Sequence, residues 1–83
     1  MNVSQSEFQY MVEGMTADLI VLLIQREGYT TEQAVSAVYG SRVYEALRNP
    51  RTTLYYQSPG YVYSHLVEEL KQQQIGEATF GMR

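Results

Sequence analysis

The sequence predicts a compact all-α bundle of three to four helices, with a short extended arm before the last helix. Three observations carry that prediction. Apolar residues recur at steps of three and four, as Phe8, Met11, Met15, Leu19, Leu22 and Leu23 near the start and as Val62, Leu66 and Leu70 near the end. Helix start and stop residues bracket those runs: Ser4 with Glu7, Gly28, Thr30 or Thr31, and Ser58 with Pro59. Both prolines lie at positions 50 and 59, outside the two periodic runs, so neither interrupts a helix.

The first helix is expected to start after Ser4, whose hydroxyl caps the turn while Glu7 returns a bond, and to end at Glu27, where Gly28 supplies a left-handed stop. Val12, Ile20, Val21 and Ile24 add a second apolar face to this helix. Such a segment needs cover on several sides, from the rest of the domain or from a second copy. Gly14 lies inside it at a cost of about 1 kcal/mol relative to alanine, either tolerated or marking the close approach of another backbone.

A second helix begins at Thr30 or Thr31, with Ala34, Val35, Val38 and Tyr39 as its inner edge. Gly40 weakens it, and Ser41 can start a short third helix bearing Val43, Tyr44 and Leu47; one kinked helix is the alternative. Asn49-Pro50 ends this stretch, because proline disfavours a helical residue before it. Thr52 to Gln57 has strand-like composition but no partner strand, so an extended or single-turn arm laid across the helices is expected. The last helix takes Ser58 as cap and Pro59 at its first position, and runs to about Gln74. Residues 1–76 thus form a single helical domain. Residues 77–83 lack periodicity and are expected to be a flexible tail, onto which Phe80 and Met82 can add docking contacts.

With 83 residues, 45% of them hydrophobic, the chain buries only roughly 60 to 65% of the surface its unfolded form exposes. It has no cysteine for disulfides or thiolate metal sites, so tight packing or a homodimer must supply the remaining stability. The longest apolar run, Leu19 to Ile24, is far short of the about 20 residues a membrane span needs. The opening residues Met1 to Glu7 hold no lysine or arginine and do not read as a secretory signal. A cytoplasmic location is expected. The net charge of −3 disfavours generic nucleic-acid binding, which depends on neutralising phosphates, although Arg42, Arg48 and Arg51 form a local basic patch opposed only by Glu45.

Catalytic chemistry finds few candidates in one histidine and one aspartate, and the expectation is a non-enzymatic protein without a cofactor. His65 with Glu68 and Glu69 sits at helical spacing, but a usable metal centre needs a third well-placed ligand and no metallopeptidase signature is present. A solvated acidic face is the plainer account. Residues 49–63 are more informative, because they hold both prolines and four of the eight tyrosines between two helical segments. Tyrosine and arginine combine area with directional hydrogen bonds and dominate binding hot spots. Arg48, Arg51, Tyr55, Tyr56 and Tyr61 are therefore the expected partner contacts. Adjacent Tyr55 and Tyr56 should point opposite ways, which leaves one of them available. The alternatives are a purely structural role for the tyrosines and a small transcriptional or nucleic-acid accessory protein using the arginine patch.

The segments Ala34-Val35-Ser36-Ala37-Val38-Tyr39, Leu47-Arg48-Asn49-Pro50 and, above all, Leu54-Tyr55-Tyr56-Gln57-Ser58-Pro59-Gly60-Tyr61-Val62-Tyr63 resemble a group of small uncharacterised helical proteins of bacteria, especially gut anaerobes. Members of that group resemble components of small operons that carry a protein similar to ADP-ribosyltransferases. The resemblance covers about Tyr29 to Leu70. It implies an antitoxin-like or operon accessory role through protein binding, and it brings no catalytic motif.

Overall fold

A computed structural model of the chain describes residues 4–81, with side chains described for residues 4–73. Four helices, α1 (Gln5–Glu27), α2 (Thr31–Tyr39), α3 (Arg42–Leu47) and α4 (Pro59–Gly81), follow one another in the chain, and two 3-10 turns, Pro50–Thr52 and Leu54–Tyr56, join α3 to α4. The fold is an all-α bundle in which α2, α4 and the second 3-10 turn pack on α1 and α3 packs on α4.

Local chemistry sets most of the helix ends. At α1 the Glu7 amide donates to the Ser4 hydroxyl at 3.1 Å and the Ser4 amide donates to the Glu7 carboxylate at 3.2 Å, a complete capping box. The Ser4 backbone amide, and after it the nearby Ser4 hydroxyl, hold the Glu7 carboxyl below its ordinary range. Gly28 closes the helix at φ 72, and the Tyr29 amide reaches back to the Leu23 carbonyl at 3.3 Å. Thr30 and Gln33 repeat the capping box at α2. At Gly40 an added Cβ would lie 3.1 Å from the Ser36 carbonyl oxygen, so glycine lets α2 end in a sharp corner rather than run on into α3. Ser58 caps α4 by accepting from the Tyr61 amide at 3.3 Å.

The core is one cluster drawn from every helix, with Leu19, Leu23, Ala34, Val38, Leu47, Val62 and Leu66 fully enclosed. Complete burial of one leucine side chain stabilises by about 2 kcal/mol, and the helices keep their places chiefly through this shared interior. Thr16 is the polar exception on α1; its hydroxyl donates to the Val12 carbonyl at 2.7 Å and so enters the core satisfied.

Two details differ from the sequence reading, the inner edge of α2 and the length of the last helix, and the arm takes one of its two expected forms. Val35 and Tyr39 are exposed, because Ala34, Ala37 and Val38 make the inner edge of α2. Of the two forms expected for the arm, extended or single-turn, the structure has turns: with no strand to pair with, its backbone satisfies itself in 3-10 turns, as with the Thr52 amide to the Asn49 carbonyl at 3.0 Å. Thr53, between the turns, takes φ 60, which a β-branched residue seldom adopts. The last helix continues past Gln74 and Gly76 to Gly81. The expected flexibility of 77–83 and the docking of Phe80 and Met82 fall outside the residues whose side chains are described.

Candidate functional site

α3 is only six residues long, and its placement decides which side chains the surface offers. All four of its leading amides have partners. The Arg42 and Val43 amides donate to the two carboxylate oxygens of Glu69 at 2.8 and 3.1 Å, Tyr44 donates to the Ser41 hydroxyl at 3.0 Å, and Glu45 to the Ser41 carbonyl at 3.4 Å. Glu69 on α4 therefore acts as a bracket that locks α3 onto the bundle. Its carboxylate is engaged in structure, so the spacing of His65, Glu68 and Glu69 reflects a helix-to-helix clasp. No group of three or more potential metal-ligating side chains occurs among the described residues.

Held in this way, α3 turns Tyr44 and Arg48 toward α1 and turns Val43 and Ala46 toward α4. On the α1 side, Tyr39 and Tyr44 meet edge to face with ring centroids 4.7 Å apart, and the Arg48 guanidinium lies 5.5 Å from the centre of the Tyr44 ring. Tyr39 is 53% exposed. These three side chains wall a shallow groove along α1. Its floor runs through Phe8, Val12, Thr16 and Ile20, and Glu13 and Ala17 form its other margin. Floor residues four apart lie on one line of the helix, and the stretch from Phe8 to Ile20 covers about 18 Å.

On the α4 side, Tyr61 is exposed and stacks edge to face on His65 with centroids 4.8 Å apart. A second depression lies there, lined by Arg42, Val43, Ala46, Thr52, Leu54 and those two rings.

The expected contact residues are thus divided among surfaces. Arg48 belongs to the α1 groove and Tyr61 to the α4 depression, while Arg51 is exposed on the first 3-10 turn. Tyr55 and Tyr56 do diverge, one 6% and the other 46% exposed. Tyr55 is a core residue rather than a contact, set against Phe8 at 4.8 Å between centroids, and Tyr56 rests on it at 5.2 Å. Arg42 and Arg48 line different depressions on the two sides of α3, which divides the basic patch.

The Tyr39–Tyr44–Arg48 cluster was missed as a unit. A signal for half of it existed, since Tyr44 and Arg48 stand four apart at helical spacing, but Tyr39 joins them only through the corner at Gly40. The Glu69 bracket left no sequence signal, because its partners are backbone amides 26 and 27 residues away.

The chain matches no protein-family model, no curated protein and no solved structure. Its function is therefore argued from its own surface.

Proposed function

We propose that the protein is a small non-enzymatic protein-interaction module, and that its principal contact face is the groove between α1 and α3. One observation carries this reading: a Tyr39–Tyr44–Arg48 cluster, with Tyr39 and Arg48 exposed and Tyr44 half-buried, stands along a channel of mixed polarity on α1. Interfaces draw most of their affinity from such residues, which bury large areas with little loss of side-chain freedom. The shape fits an amphipathic segment of a partner laid along α1, its apolar side chains over Val12, Thr16 and Ile20. A carboxylate on that segment would meet Arg48 at one end, where charge complementarity fixes register and speeds association. The antitoxin-like or accessory role implied by the sequence resemblance requires a face of this kind.

Affinity purification of the tagged protein from its native host at moderate salt, beside a Tyr39→Ser/Arg48→Glu variant, tests the reading. Both side chains are exposed, so the variant keeps its fold. A stoichiometric protein captured by the parent and lost by the variant is the expected result. Equal capture by both removes the groove from consideration. Capture of nucleic acid alone, lost steeply with salt, would replace the reading with the arginine-patch alternative.

A further inference from the structure

α1 is apolar on more than its core side. Directly opposite the buried line of Val12, Met15, Leu19 and Leu23 runs a second line, Tyr10, Gly14, Ala17 and Val21, at helical spacings of four, three and four. All four are exposed, Tyr10 at 79% and Val21 at 47%. Gly14 has no neighbour within 4 Å of the position a Cβ would occupy, so nothing inside this chain requires a glycine there.

We propose that this line is the seam of a homodimer in which two copies of α1 pack antiparallel about a two-fold axis midway between Gly14 and Ala17. The spacing of the four residues is self-complementary about that point. Tyr10 falls opposite Val21 of the second copy and Gly14 opposite its Ala17, which places the small residues at the centre of the crossing and the large ones at its ends. Isologous contacts demand this match of a surface with itself. Helices with small residues at the crossing approach to the short end of the usual 8–10 Å range.

Surface area sets the scale of the contact. A standard interface takes roughly 800 Å² from each partner, and a seam of four residues per copy is at the small end of stable interfaces, so association is expected only at micromolar protein or above.

Charge gives the seam a distinctive signature. Glu13 and Asp18 flank the line on opposite edges, and no lysine or arginine occurs between positions 10 and 25. Each edge of the dimer brings two like carboxylates to within about 8 Å along the axis, counting five residues of helical rise. Salt screens that repulsion, so the dimer tightens as salt is added, opposite to an association held by ion pairs.

Sedimentation equilibrium from about 1 μM to 1 mM, at low and moderate salt, tests the proposal. The parent should pass from monomer to dimer in this range and do so at lower concentration in added salt, while Val21→Asp should weaken association at least tenfold without loss of helical circular dichroism. A Tyr10→Cys/Val21→Cys variant provides a second test that does not depend on the charged substitution. It should oxidise to a covalent dimer, whereas Tyr10→Cys alone should not, because the two copies of position 10 are about 16 Å apart along the axis. A parent that stays monomeric to 1 mM, a dimer indifferent to Val21→Asp, or a double-cysteine variant that does not cross-link would each overturn the seam.

Discussion

Replacing Glu69 tests the central structural claim, that a single carboxylate holds α3 to α4. Its two oxygens accept from the Arg42 and Val43 amides at 2.8 and 3.1 Å. A hydrogen bond to a charged group contributes about 1.5–3 kcal/mol. Glu69 is half-buried and one of its bonds is exposed, so about 1 kcal/mol for each bond is appropriate, or about 2 kcal/mol for Glu69→Ala. In a domain of this size 1 kcal/mol moves the midpoint by about 4–8 °C, so the melting temperature should fall by roughly 8–16 °C. Glu69→Gln keeps one acceptor oxygen and should lose about half as much. Thermal unfolding followed by circular dichroism gives the magnitude, and amide exchange at Arg42 and Val43 locates it. In the alanine variant those two amides should exchange far faster, while Tyr44, bonded to Ser41, is affected less. A shift of under about 2 °C with unchanged exchange at Arg42 and Val43 would refute the bracket.

Three further predictions concern the arm and the contact of α4 with α1. Tyr55→Ala should destabilise by about 3 kcal/mol because it opens a cavity against Phe8, while Tyr56→Ala should cost under about 1 kcal/mol; urea midpoints separate them, and equal effects would contradict the assigned burial. Thr53→Asn should raise stability by about 0.5–1 kcal/mol in the same assay, since asparagine tolerates the left-handed conformation that threonine adopts at φ 60. Burial, and after it the Glu27 carboxylate that accepts the Tyr63 hydroxyl at 3.2 Å, raise the Tyr63 phenol above its ordinary value of 10.0. The raised value means that the folded state holds this proton longer than the unfolded chain. Its contribution is complete below pH 10 and is lost as pH rises through the folded value. A spectrophotometric tyrosinate titration should show a late-ionising component that is absent in Tyr63→Phe; a titration curve whose late part is unchanged by that substitution would count against the assigned burial.

Where the sequence was legible, the determinants lay within a few residues of one another. Ser4 with Glu7, Gly28 before Tyr29, and Ser58 with Pro59 place helix ends through bonds that span three to six positions, and the structure has those ends where the residues predict them. The long lines Met15–Leu19–Leu23 and Val62–Leu66 were equally readable, because a helix buries what repeats on one side. Tyr39 and Tyr55 were not. Tyr39 sits one residue from buried Val38, and the corner at Gly40 decides its exposure by turning the chain away. Tyr55 is buried because Phe8, 47 positions earlier in sequence, receives its ring, and because Thr53 twists the arm into place. The arm's strand-like composition gives way for want of a partner strand, a lack already visible in the sequence, because β propensity describes a neighbour as much as a backbone.

The two surfaces proposed here share α1 but are separable by experiment. The groove uses the flank through Val12, Thr16 and Ile20, and the seam uses the side through Tyr10, Gly14, Ala17 and Val21. They meet at Glu13, and Ala17 lines the groove's edge as well as the seam. A seam between copies couples folding to association, so the parent's melting temperature should climb with protein concentration and Val21→Asp should abolish that dependence. Tyr39→Ser/Arg48→Glu should leave the concentration dependence intact while removing partner capture. The converse variant, Val21→Asp, should retain the groove and hence the partner. If both variants lose both properties, the partner requires the dimer, and the double α1 layer becomes the binding unit. Independent losses would instead make each protomer a complete binding module, with dimerisation contributing stability to a core of few residues.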